Sequence, residues 1–134
     1  MNPRSNPIRI EPSRRRAFGE AQERAAADYL VAQGLQMICA NFQCKLGEID
    51  LIMRSPTSLI FVEVRYRRST AYGTPAESVN YRKQLKLMRT AQSYLKSLQL
   101  TNRIPCRFDI LGISPGPQPG SLSFDWIQGA FDMG

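Results

Sequence analysis

Two consecutive stretches, GEIDLIMR (47–54) and LIFVEVRYR (59–67), alternate apolar and polar residues with the two-residue period of β-strands. Ser-Pro-Thr-Ser separates them, and together they predict a hairpin with strands at about 46–54 and 59–66. If Arg54 faces Leu59 across the turn, Ile49, Leu51, Met53, Ile60, Val62 and Val64 form one wholly apolar face. Glu48, Asp50, Ile52, Arg54, Leu59, Phe61, Glu63 and Arg65 form the other. A one-residue slip mixes charge into both faces, so the pattern selects this register. The second face is apolar in its middle and charged away from the turn. Such a face suits a sheet covered on both sides with a polar notch at one end.

The rest of the chain supplies what covers that sheet. FGEAQERAAADYLVAQG (18–34) is Ala-rich and ends on Gly34, which predicts a helix. LQMICANF predicts a short strand. Ser78 stands as the expected cap of a long helix reaching about Gln99. On that helix Arg82, Lys86, Arg89 and Lys96 share one arc, opposite Val79, Leu85, Met88, Ala91, Leu95 and Leu98. Gln84 lies on the apolar side, either reaching the notch or serving as a satisfied core amide. RFDILGI predicts another strand, and LSFDWIQGAF a last strand with a short helical end anchored by Trp126. The order α-β-β-β-α-β-(β) indicates an α/β protein, a mixed sheet flanked by helices. No repeat or second domain is visible, so 17–134 reads as one domain.

Charge changes the picture at the N-terminus. Eighteen Lys and Arg against eleven Asp and Glu give +7 over 134 residues, and residues 1–16 hold five Arg and one Glu. That segment has no apolar periodicity and reads as a flexible basic arm. The balance favours a polyanionic partner, nucleic acid first. No apolar run has the length of a membrane span, so no membrane partner and a cytoplasmic location are expected. Cys39, Cys44 and Cys106 lack zinc-site spacing and read as free thiols. Histidine is absent, which removes imidazole bases and ligands from the available chemistry.

The notch holds the candidate chemistry. The register sets Asp50 opposite Glu63, where Cβ atoms stand roughly 4.5–5.5 Å apart and like charges repel. Two remedies fit the spacing equally: a hard divalent cation, or neutralisation by Arg65, Arg67 or Arg107. Two carboxylates beside a cation form a compact phosphodiester-cleaving set, in which a metal acidifies water and Arg65 positions it or offsets charge on the phosphate. Arg65 cannot serve as a general base because guanidinium stays protonated. Glu48 is expected to pair with Arg65 across the hairpin, and Asp109 with a neighbouring Arg. Tyr66, Tyr72 and Tyr81 read as packing residues that could also stack on unpaired bases.

At these residues the chain resembles the PD-(D/E)xK superfamily, the restriction-endonuclease-like fold, and within it the bacterial YraN family. FGEAQERAAADYL, GEIDLI, FVEVRYR, RKQLKLMRTAQSYL and CRFDI follow that family in order and spacing, from about Arg15 to Phe131. The resemblance implies a core shared with tRNA-splicing endonucleases and Holliday-junction resolvases. It makes Asp50 and Glu63 the acidic ligands for Mg²⁺ or Mn²⁺, with the Val64 carbonyl as a backbone ligand. Glu20 matches the acidic residue of the first helix. Arg65 stands where the superfamily's lysine usually stands, with Lys83 and Lys86 as candidates for a displaced one.

The expected function is therefore metal-dependent hydrolysis of nucleic acid, DNA ahead of RNA. Glu20, Asp50, Glu63 and Arg65 form the catalytic set, and Arg67, Arg68, Lys83, Gln84 and Lys86 contact the substrate. The alternatives are a binding protein of the same fold without efficient chemistry, or an assembly protein whose charge serves solubility. A homodimer stays open.

Overall fold

Five strands form one sheet in the order β1-β2-β3-β4-β5, with a helix on each face. The computed structural model describes residues 14–68 and 73–132, with side chains from Glu20 onward. The elements are α1 (Arg14–Ala32), β1 (Gln36–Cys44), β2 (Gly47–Arg54), β3 (Leu59–Tyr66), a 3-10 turn (Ala76–Ser78), α2 (Tyr81–Ser97), β4 (Cys106–Pro115) and β5 (Leu122–Phe131). β3 and β4 pair in parallel because α2 carries the chain across one face between them, and the other neighbours are antiparallel. This is the predicted α/β architecture and matches a restriction-endonuclease-like core.

The central strands are apolar on both sides, so each face needs a cover. α1 supplies Ala26 and Leu30 against Leu51, Met53, Ile60, Val62, Leu111 and Ile113. α2 supplies Leu87, Ala91, Tyr94 and Leu95 against Ile49, Ile52, Phe61, Phe108 and Ile110. Arg82, Lys86, Arg89 and Lys96 are all exposed, as the helical arc predicts. Leu98 is not part of the apolar arc. It lies past the last turn and is 49% exposed, while Leu87 and Tyr94 take the core positions.

Local chemistry sets the helix ends. α1 closes with Leu35 N–H donating to the Leu30 carbonyl and Gly34 N–H to that of Val31, Gly34 taking φ +107°. α1 starts at Arg14, inside the stretch assigned to the arm, and residues 1–13 lie outside the described residues, as does Tyr72. The cap of α2 is Asn80, not Ser78: Asn80 Oδ1 accepts from Lys83 N–H at 2.9 Å. Ser78 closes the 3-10 turn by donating to the Pro75 carbonyl. The expected helical end after β5 is also absent, since the strand runs through to Phe131. Its ladder with β4 shifts between Phe108 and Ile110, and Asp109 fills the irregularity. Asp109 accepts from Trp126 Nε1 at 2.9 Å, from Gly129 N–H at 2.9 Å and from Arg107, so the expected arginine partner is present.

The β2–β3 register is the predicted one, from Arg54–Leu59 to Leu51–Val62. Strict alternation fails beyond it. Ile49 packs with Ile52 and Phe61 under α2, not with Leu51 under α1. The cause lies on β1, where Asn41 takes φ +55° opposite Asp50. That residue switches faces, since Phe42 and Cys39 both join the α2 side while Ala40 joins the α1 side.

Candidate metal site and its basic groove

Where the β2–β3 ladder ends, side chains replace main-chain pairing. Asp50 Oδ2 accepts from Val64 N–H at 2.8 Å, which holds the carboxylate between the strands. Glu63 lies two residues beyond Phe61 on the α2 side and is buried at 6% exposure. Its Oε2 is 3.3 Å from Arg65 Nη2 and 3.7 Å from Lys83 Nζ. Lys83 reaches it from the first turn of α2, positioned by the Asn80 cap.

Burial dominates the electrostatics. It raises the Glu63 carboxyl to about 7, helped by the Asp50 charge and opposed by Lys83 and Arg65. Burial also raises Asp50, against the lowering effect of the Val64 N–H. The two carboxyls stand close enough to influence each other, and burial favours the protonated form of both. Glu23 of α1 completes the cluster. Burial raises its carboxyl to about 7, Asn41 opposes that rise, and the charges of Asp50 and Glu48 add to it.

The structure thus brings together Asp50, Glu63, Arg65, Lys83 and the main chain of Val64. Glu20 makes no hydrogen bond or ion pair among the described residues, and Glu23, one turn later, holds the position beside Asp50. A signal for Glu23 was present: it precedes the buried Ala26 and Leu30 by three and seven residues, on the core-facing stripe. The hairpin pairing expected for Glu48 and Arg65 does not form. Arg65 turns to Glu63, and Glu48 Oε1 accepts from Gln43 Nε2 at 3.1 Å. Arg67 anchors the segment after β3 instead of joining the site, its Nη1 donating to the Thr74 carbonyl and its N–H to that of Ile113. Arg68 is exposed. Gln84 donates to the Val79 carbonyl at 3.1 Å, the satisfied-amide reading.

Lys86 joins Lys83 along a groove of about 450 Å³ whose other lining residues are Gln43, Cys44, Gly47, Glu48 and Leu87. Gly47 sits at φ +153°, and a Cβ there would come within 2.8 Å of Thr90 Oγ1, so β2 begins in close contact with α2.

The profile of the "Uncharacterised protein family UPF0102" matches residues 22–113. The chain belongs to this family. It corresponds to the YraN family expected from the motifs, and the matched span contains Glu23, Asp50, Glu63, Arg65, Lys83 and Asp109. A UPF0102 protein of Pseudomonas syringae pv. tomato is 44% identical over 126 residues, covering 92% of this chain and 98% of the relative. One from Chromohalobacter salexigens is 46% identical over 120 residues, covering 90% and 93%. One from Nitrosococcus oceani is 41% identical over 122 residues, covering 91% and 97%. The likeness is therefore to whole family members.

Among the described residues no group of three or more Asp, Glu, His or Cys side chains could hold a metal ion. A hard divalent cation here would have at most the two carboxylates of Asp50 and Glu63, a number that suits Mg²⁺ when its other positions go to water and phosphate. The three cysteines are free thiols, and no helix among the described residues is long and apolar enough to cross a membrane.

Proposed function

We propose that this protein hydrolyses phosphodiester bonds in nucleic acid, DNA ahead of RNA, with Mg²⁺ or Mn²⁺ held by Asp50 and Glu63. The observation that carries this reading is the buried Glu63 carboxyl beside Asp50, with the cationic side chains of Arg65 and Lys83 on it. Two acids brought together away from water repel once ionised, and a divalent cation removes that cost. The bound ion would supply an acidified water and neutralise phosphate charge.

The chain's own residues do the rest. The Val64 N–H orients Asp50, with the Val64 carbonyl as a further candidate ligand. Arg65, fixed by Glu63, faces negative charge developing on the phosphate. Lys83 is the displaced lysine, since it reaches Glu63 from α2 and can position a water where Arg65 cannot accept its proton. Glu23, not Glu20, takes the role of the acid on the first helix. The experiment is cleavage of branched, single-stranded and duplex DNA and of RNA with Mg²⁺ or Mn²⁺. Cleavage lost in Asp50→Asn and Lys83→Ala is expected. Absence of product from every substrate, or equal activity in Asp50→Asn, overturns the reading.

A second reading rests on Arg65 standing in the lysine position while paired to Glu63. It is a nucleic-acid-binding protein of this fold without efficient chemistry. It predicts salt-dependent binding that survives loss of Glu63 and no product at any metal concentration.

A further inference from the structure

The groove beside the carboxylates has two unlike walls. Lys83 and Lys86 stand on the α2 side, and Gln43 and Glu48 on the β1–β2 side. A groove that bound only the phosphate chain would gain nothing from an exposed carboxylate facing its lysines. Gln43 Nε2 donates to Glu48 Oε1, which leaves Glu48 Oε2 and the Gln43 side-chain oxygen as acceptors and one Gln43 amide N–H as a donor. The charged group on this wall is an acceptor, and it favours a group that donates.

We propose that the groove is a nucleotide subsite. A phosphate next to the reacting one lies on Lys83 and Lys86, and the amino-bearing edge of an unpaired base donates to Glu48 and Gln43. The inference rests on the phosphodiesterase reading and names its substrate class: single-stranded or unpaired nucleic acid, with cytosine preferred over thymine at this position. The volume of about 450 Å³ is that of a small-ligand site, suited to one nucleotide unit and not to a duplex. Lys83 links the two places, lining the groove while its Nζ lies 3.7 Å from Glu63. Carboxylates accept from the cytosine N4 amino group, whereas thymine offers only an acceptor at the matching position. Pairing leaves the second N4 hydrogen free in the major groove, so it is the size of the groove, not the amino group, that restricts the site to an unpaired nucleotide.

The test is fluorescence anisotropy with labelled oligo-dC and oligo-dT of equal length, in EDTA at about pH 8, so that binding is read without cleavage. The native protein is expected to bind oligo-dC roughly tenfold tighter. Glu48→Ala should bring oligo-dC down to the oligo-dT level, with Glu48→Gln intermediate. Lys86→Ala should weaken both oligomers alike and lower the salt slope by about one. Equal affinities in the native protein, a preference that survives Glu48→Ala, or tighter binding of both oligomers by that variant would each overturn the subsite. Cleavage without this preference removes the subsite and leaves the phosphodiesterase reading standing. The preference without cleavage does the reverse.

Discussion

Replacing Glu63 with Gln should stabilise the fold, by an amount that depends on pH. Folded Glu63 keeps its proton up to about 7, whereas an ordinary Glu loses it near 4.5. Between those values the folded chain binds more protons than the unfolded one, so stability falls as pH rises. Below the lower value both states are protonated and there is no penalty. Above the upper one the folded state carries an ionised carboxylate in a site that disfavours it. At about 1.4 kcal/mol per tenfold change in proton affinity, the full penalty is about 3 kcal/mol. Gln keeps the shape and carries no charge at any pH. Its advantage should be near zero at about pH 4 and grow to roughly 3 kcal/mol at about pH 8. Lys83 and Arg65 lose a partner, but both side chains are about one-third exposed, at 34% and 31%, and water screens them. Urea denaturation in EDTA across that pH range measures the difference. A constant difference, or a native protein more stable than the variant at about pH 8, would refute the reasoning.

The same protons make ion binding pH-dependent. Calorimetry in buffers of different ionisation enthalpy should show proton release on Mg²⁺ binding below about pH 7, with affinity rising as pH increases, and Asp50→Asn should abolish the signal. Asp109→Ala should destabilise by about 3–5 kcal/mol in thermal denaturation, because it strips Arg107, Trp126 and Gly129 N–H of their acceptor. Gly47→Ala should lower the melting temperature and weaken oligonucleotide binding together, since its Cβ would meet Thr90 in a backbone region reserved for glycine. Gln99→Gly should raise stability by about 0.5–1 kcal/mol. Gln99 ends α2 at φ +59°, with Leu100 N–H reaching back to the Leu95 carbonyl.

Much of this protein was legible in its sequence because the deciding interactions are local or periodic. The two-residue alternation placed β2 and β3 and their register, since only one pairing keeps charge off the buried face. The 3.6-residue spacing of Arg82, Lys86, Arg89 and Lys96 placed the exposed face of α2. Local reasoning failed where a few kilocalories of capping or backbone strain decide. Asn80 displaced Ser78 as cap because the chain first makes a 3-10 turn at Ala76–Ser78. Asn41 broke the alternation that would have kept Ile49 with Leu51.

The sequence by itself determined the α/β order, the β2–β3 register from Arg54–Leu59 to Leu51–Val62 and the family motifs, because each follows from spacing along one or two adjacent segments. Only the tertiary structure decided which cation reaches Glu63 from α2 and which α1 acid meets Asp50. Those choices depend on how helices from opposite faces of the sheet are set against its open end. That placement is fixed by side-chain packing between segments far apart in the chain, which no local period records.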